Sequence, residues 1–128
     1  MKHQEDLEHL LNSFDADDRR KALSKLLSKY LRVGSPSHNN VNMHFHSFFS
    51  YNAEGWSPSR IAWESRKAGL YAAGLCDFDV LDGLEEFLQA SLLLEMRGTV
   101  NLETRAYLKE YAQSEISSPG EPGVTYIM

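Results

Sequence analysis

The chain reads as an α/β protein in which an N-terminal helical hairpin precedes a sheet of parallel strands. Three observations predict this. Apolar residues before Asn40 recur at helical spacing. After Asn40 the pattern runs strand, helix, strand, helix, strand, the order that builds a parallel sheet with right-handed crossovers. Glycines and a Ser-Pro pair fall between these segments, where chain reversals and helix starts need them. The natural division is residues 1–40, a helical extension, and residues 41–128, the α/β part.

Each element has its own signal. Leu7, Leu10, Leu11 and Phe14 fall at i, i+3, i+4 and i+7 and mark one face of a short helix. Asp15 or Asp17 can cap a second helix, with Leu23, Leu26, Leu27, Tyr30 and Leu31 as its apolar face. Gly34 supplies a stop, and Ser35 to Asn40 form a loop. Val41 to Phe45 read as a strand, followed by the loop Tyr51 to Trp56. Ser57 before Pro58 is a cap and first-turn pair for a helix running to about Gly69. Leu70 to Leu75 form a small apolar strand, and Asp77 to Gly83 a turn. Leu84, Phe87, Leu88 and Leu92 define another helical face. Gly98 interrupts it, and Thr99 to Leu102 make a third strand. Ser114 to Gly123 is a Ser/Pro/Gly loop before a last strand, Val124 to Met128. Three or four parallel strands leave edges with unpaired backbone groups, so self-association or a companion chain is expected.

Composition narrows the functions. The 128 residues carry a net charge of −5, and Arg19-Arg20-Lys21 is offset by Asp15, Asp17 and Asp18. No nucleic-acid or acidic-membrane partner is expected from that balance. No apolar run approaches the roughly 20 residues of a membrane helix, and the polar start Met1 to Asp6 is unlike a secretory signal, so the cytoplasm is the expected location. One cysteine, Cys76, allows no internal disulfide and no Cys-based zinc knuckle; it reads as a small buried apolar residue. His3, His9 and His38 read as solvent-facing.

Parallel α/β folds carry their chemistry at the carboxyl ends of strands. Those ends hold His44 and His46, then Asp77 and Asp79, then Glu103. Alternate strand residues share a face, so His44 and His46 point the same way. Two imidazoles on one face can grip a cation, or can simply be polar residues on a half-buried strand. Aspartates after a strand commonly cap the next helix, and Glu103 could be exposed or paired with Arg105. Taken together, the three groups point to a metal or phosphate site. Imidazole and carboxylate suit Zn²⁺, Mn²⁺ or iron. Arg105 could hold a substrate phosphate through bidentate hydrogen bonds or form a surface ion pair. Phe48, Phe49, Phe78 and Trp56 read as packing residues, and Glu121 has no assigned role.

The run His44-Phe45-His46-Ser47, the segment Ala68-Gly69-Leu70 through Cys76-Asp77-Phe78-Asp79, and Leu102-Glu103-Thr104 resemble the first three motifs of the PHP (polymerase and histidinol phosphatase) domain family. The resemblance covers Val41 to Met128. It implies the front half of a distorted (β/α)7 TIM-like barrel and a metal-dependent phosphoesterase acting on a phosphorylated small molecule. Carried over by position, it implies that His44, His46 and Glu103 hold a divalent metal, with Glu103 matching a bridging residue. Asp77 and Asp79 would act behind the ligands or position the loop. The chain departs from the family at Phe78, where the pattern has a metal-binding histidine. It departs again at Tyr51 and Asn52, where the family often has an acidic residue or a histidine. The family's later histidines have no counterpart before Met128; Tyr126 loosely matches one of them. The isolated chain is therefore expected to be inactive unless completed. The alternatives are a degenerate, non-catalytic metal-binding or regulatory module, and an assembly piece that makes contact through its helical hairpin.

Overall fold

The computed structural model describes residues 2–30, 39–51, 53 and 55–128. Gly34, the loop Ser35 to His38, Leu31 and Asn52 lie outside the described residues.

Helices α1 (Lys2–Leu10) and α2 (Ala16–Tyr30) form the expected hairpin. Asp15 is the cap: its Oδ1 accepts the amides of Asp17 at 2.8 Å and Asp18 at 3.1 Å. The buried stripe is narrower than the sequence suggests. Leu7 and Leu11 are buried, whereas Leu10 and Phe14 are exposed. The helix stops at Leu10, so Phe14 leaves the helical face and stacks on Phe48, centroids 5.4 Å apart.

Strand β1 (Val41–Phe45) leads through a loop to helix α3 (Pro58–Lys67). Ser57 caps α3 by accepting the Arg60 amide at 2.9 Å. The helix ends in a Schellman pair, Gly69 N–H to Arg66 O and Leu70 N–H to Ser65 O. Strand β2 (Ala72–Phe78) starts and ends later than expected, and so contains Asp77. Helix α4 (Leu84–Leu93) follows, then β3 (Arg97–Tyr107), an eleven-residue strand where the sequence suggested a short one. A single 3-10 turn at Lys109–Tyr111 precedes β4 (Val124–Ile127).

The strands form one curled sheet in the order β1-β2-β3-β4, a half-barrel. β1 and β3 flank β2 in parallel, with α3 and α4 as the crossovers. β4 corrects the all-parallel expectation, because it runs antiparallel to β3. A parallel return needs a long crossover, usually a helix. The segment after β3 offers only the 3-10 turn, and Leu108 N–H bonds directly to Gly123 O, which folds the chain back.

β2 is buried along its whole length. One face, Ala73 and Leu75, joins a continuous core with Ile61, Ala62 and Trp63 of α3 and Phe87, Ala90 and Leu94 beside them. That core extends through Leu7, Leu11, Leu23 and Leu26, so the hairpin covers the crossover helices as an outer layer. α4 presents Phe87, Ala90, Ser91 and Leu94, while Leu88 and Leu92, expected on the core face, point outward. Ala90 and Ser91 are small, and the Ser91 side chain fills the space where Gly98 of β3 lacks a Cβ. Large leucines on that face would hold the helix off the sheet.

Two carboxylates tie the layers together. Glu86 of α4 accepts from Arg19 Nε at 2.8 Å and also contacts Arg19 Nη2. It further accepts from Ser59 Oγ at 2.7 Å and the Ser59 amide at 3.2 Å, in the first turn of α3 where helix amides lack partners. Arg19 is almost fully buried. Glu86→Ala is therefore expected to cost about 3 kcal/mol, since it strips a buried guanidinium of its counter-charge and leaves it only the Ser13 carbonyl and the Phe48 ring; the urea midpoint of the variant measures this.

Glu8 of α1 accepts from Lys67 Nζ at 2.9 Å, Trp63 Nε1 at 3.0 Å and Gln4 Nε2 at 3.0 Å. Burial works to raise its pKa, but these hydrogen bonds outweigh it, and the pKa lies below the ordinary glutamate value. A carboxylate with a depressed folded-state pKa contributes stability above its unfolded value, and that stability is lost as pH falls through the folded value. Glu8→Gln is expected to remove that part of the acid dependence, measured as thermal midpoint against pH.

Candidate metal centre

The first three strands bring the predicted ligands to their carboxyl ends. β1 carries a bulge: Asn42 pairs with Ala73 and Phe45 with Leu75, so one extra residue of β1 lies opposite Gly74. A Cβ on Gly74 would stand 2.8 Å from Met43 O and from Thr99 Oγ1, so only glycine lets both flanking strands close here. Phe45 turns toward the helices and packs on their core. His44 and His46 take the opposite, concave face.

Glu103 reaches that face from β3. It is the last residue of β3 paired with β2, opposite Phe78. From Thr104 onward β3 pairs with β4 instead. Glu103 Oε2 lies 2.9 Å from His44 Nε2 and 3.4 Å from His46 Nε2. One donor atom from each of the three residues lies within 4.8 Å of the others. Donors on one tetrahedral ion at about 2.1 Å stand about 3.4 Å apart, so this spacing fits a single small divalent cation. Two neutral imidazoles and one carboxylate are a donor set for Zn²⁺, Mn²⁺ or iron. His44 is the most exposed member, and its side chain opens the group to solvent.

The turn after His46 is stitched to the end of β2. Asp77 is fully buried. Its Oδ1 accepts the Ser47 amide at 2.5 Å and its Oδ2 accepts Ser47 Oγ at 2.6 Å. Ser50 Oγ accepts the Phe78 amide at 3.1 Å and lies 3.4 Å from His46 Nδ1. Asp77 thus holds the loop that orients His46, and Ser50 meets the ring nitrogen facing away from Glu103. The sequence reading gave these serines no role. The available signal was spacing, since Ser47 follows His46 directly and Ser50 lies one turn on.

Asp79 sits apart from the three ligands. Its φ is 59°, a left-handed conformation uncommon outside glycine. The Asp79 amide donates to Glu103 O at 2.8 Å, its Oδ1 accepts Thr104 Oγ1 at 2.5 Å, and its Oδ2 accepts Arg105 Nη2 at 3.2 Å. The Thr104 hydroxyl first, and then Arg105, hold the Asp79 carboxyl below its usual range. Arg105 therefore pairs with Asp79 and not with Glu103. Neither Asp77 nor Asp79 caps α4; Gly83 holds the cap position, without a side-chain hydrogen bond.

Phe78 is buried, with the Tyr51 ring edge-on at 5.0 Å and the Tyr126 ring at 5.2 Å. Phe49 and Trp56, read from sequence as packing residues, are more than a third exposed. Cys76 is fully buried on the concave face, and burial, then the Glu103 and Asp77 charges, push its thiol pKa up. Among the described residues no helix is long and apolar enough to cross a membrane. Comparisons with protein-family models, curated proteins and solved structures return no match.

Hydrogen-bonding partners behind a metal ligand typically change affinity ten- to a hundredfold. Ser50→Ala is expected to weaken Zn²⁺ binding by about tenfold and, by leaving the buried Phe78 amide without its acceptor, to cost about 1–3 kcal/mol of stability, checked by calorimetric titration beside a melting curve.

Proposed function

We propose that this chain carries the metal-binding half of a phosphoesterase-type site of the PHP kind, acting on a phosphorylated small molecule. The observation that carries the reading is the convergence of His44, His46 and Glu103 at the carboxyl ends of parallel strands. The imidazoles supply neutral donors, and Glu103 supplies one negative charge, which offsets half of that on a divalent cation and leaves a net positive site for an anionic substrate. A Zn²⁺, Mn²⁺ or iron ion held there would acidify water and draw charge from a phosphoryl oxygen. Asp77 and Ser47 fix the loop that presents His46, and the exposed side of His44 leaves a path for substrate. The open edge of β1 and the outward leucines of α4 favour completion by a second copy or a companion chain.

A second reading has its own observation. Phe78 offers no donor on the rung beside Glu103, which favours a metal-binding or regulatory module without turnover. Titration with Zn²⁺ and Mn²⁺, followed by an assay with 4-nitrophenyl phosphate, separates the two. Saturable binding with metal-dependent hydrolysis supports the first reading, and binding without hydrolysis supports the second. His44→Ala is expected to weaken binding by at least about a hundredfold. Unchanged affinity in that variant would refute both.

A further inference from the structure

We infer that Asn42 and Asn101 are the positioning residues of the cation site: between them they clamp the peptide that carries His44, and so fix its ring against Glu103. This deepens the metal-site reading above and rests on it.

The bulge of β1 places Met43 and His44 together opposite Gly74. The peptide that joins them offers the Met43 carbonyl on one side and the His44 amide on the other. Asn101 Nδ2 donates to Met43 O at 3.3 Å, and Asn42 Oδ1 accepts the His44 N–H at 3.0 Å. A bulge disrupts the ladder locally and leaves its extra residue unpaired. Here two asparagine side chains answer both polar groups of one peptide plane, directly before the Cα of His44. Each imidazole thus has its own support, because His46 is held from the other side by the Ser47–Asp77 contact.

Asn101 belongs to β3, which is not a neighbour of β1. β2 lies between them, so the two strands stand about 10 Å apart. The Asn101 side chain spans that gap because Gly74 presents no side chain of its own; a Cβ there would stand 2.8 Å from Met43 O. Thr99 uses the same opening, its hydroxyl 3.5 Å from Met43 Sδ. Glu103 follows Asn101 by two residues on the same face of β3, roughly 7 Å along the strand. Asn101 pairs with Cys76 and Glu103 with Phe78, both on regular rungs of the ladder to β2. One rigid strand therefore carries a ligand and also the clamp on the backbone of another ligand. The separation so fixed is that of His44 and Glu103, the pair that closes to 2.9 Å. Asn101 is half-buried and commits its amide to a carbonyl two strands away, which a solvent-facing asparagine has no reason to do. A cation entering the group meets donors already spaced for it, the service that residues behind the ligands give a metal site.

The test uses the full chain, with Zn²⁺ and Co²⁺ as probes. The visible absorption of bound Co²⁺ reports how many donors surround the ion and how symmetrically they stand. Asn101→Leu keeps the branched shape and removes the donor. Asn101→Ser stays polar but is too short to reach Met43 O, and it decides the matter if the leucine variant does not fold. Each is expected to weaken Zn²⁺ binding by about tenfold. Each is also expected to shift the Co²⁺ spectrum toward the weaker absorption of a more hydrated ion. Asn42→Ala, which frees the other side of the same peptide, is expected to act in the same direction. A role in stability alone would leave the spectrum of the ion bound to folded protein unchanged. Wild-type Zn²⁺ affinity and an unaltered Co²⁺ spectrum in the Asn101 variants would overturn the inference and leave the metal site standing. Failure of the wild-type chain to bind either ion would instead sink the underlying site reading, and the inference with it.

Discussion

The Asp77 carboxylate is fully buried, and its two oxygens are answered by the amide and the hydroxyl of Ser47. A charge removed from water is tolerated only when hydrogen bonds replace its hydration. The contact therefore fixes where the turn after β1 can lie. Phe78, the next residue of β2, ties down Ser50 in the same turn. Neighbouring positions on the central strand thus hold both ends of the segment that follows His46. The bulge at Gly74 and the direction of His46 follow from that anchorage.

β3 supplies the other half of the arrangement. Its length lets it serve β2 with its first seven residues and β4 with its last four. Glu103 stands at the change of partner, where the parallel sheet ends and the antiparallel ribbon begins. Asp79 binds the strand just there, through the backbone of Glu103 and the side chains of Thr104 and Arg105. The helices contribute at a distance. They bury the face of β2 that carries Ala73 and Leu75, and Asp77 follows on that same face by the two-residue period of the strand.

Much of this was legible in the sequence. The strand–helix alternation after Asn40, the Ser57–Pro58 start of α3 and the boundaries of β1 are local signals, and local signals were enough. The failures share a cause: each required knowing a neighbour. Leu88 and Leu92 fit a helical stripe as well as Phe87 and Ala90 do, but only the close approach at Gly98 selects the smaller residues. β2 extends through Asp77 because Ser47 answers its charge, and no local rule keeps an aspartate inside a buried strand. β4 turns antiparallel because the preceding segment lacks a crossover helix. His44, His46 and Glu103 were named from sequence because strand ends and residue type are both local. The serines behind them were missed because their role depends on distance in space.

The reversal at β4 also bears on how the protein should be handled. Ile127 pairs with Thr104, so the chain runs back from the Tyr107 end of the ribbon toward the rung of Glu103. Met128 is exposed there. Anything fused after Met128 is delivered beside His44, His46 and Glu103. A polyhistidine purification tag in that position would put competing imidazoles within reach of any cation offered to the candidate site. A tag placed ahead of α1, on the outer helical layer, keeps foreign donors on the far side of the fold.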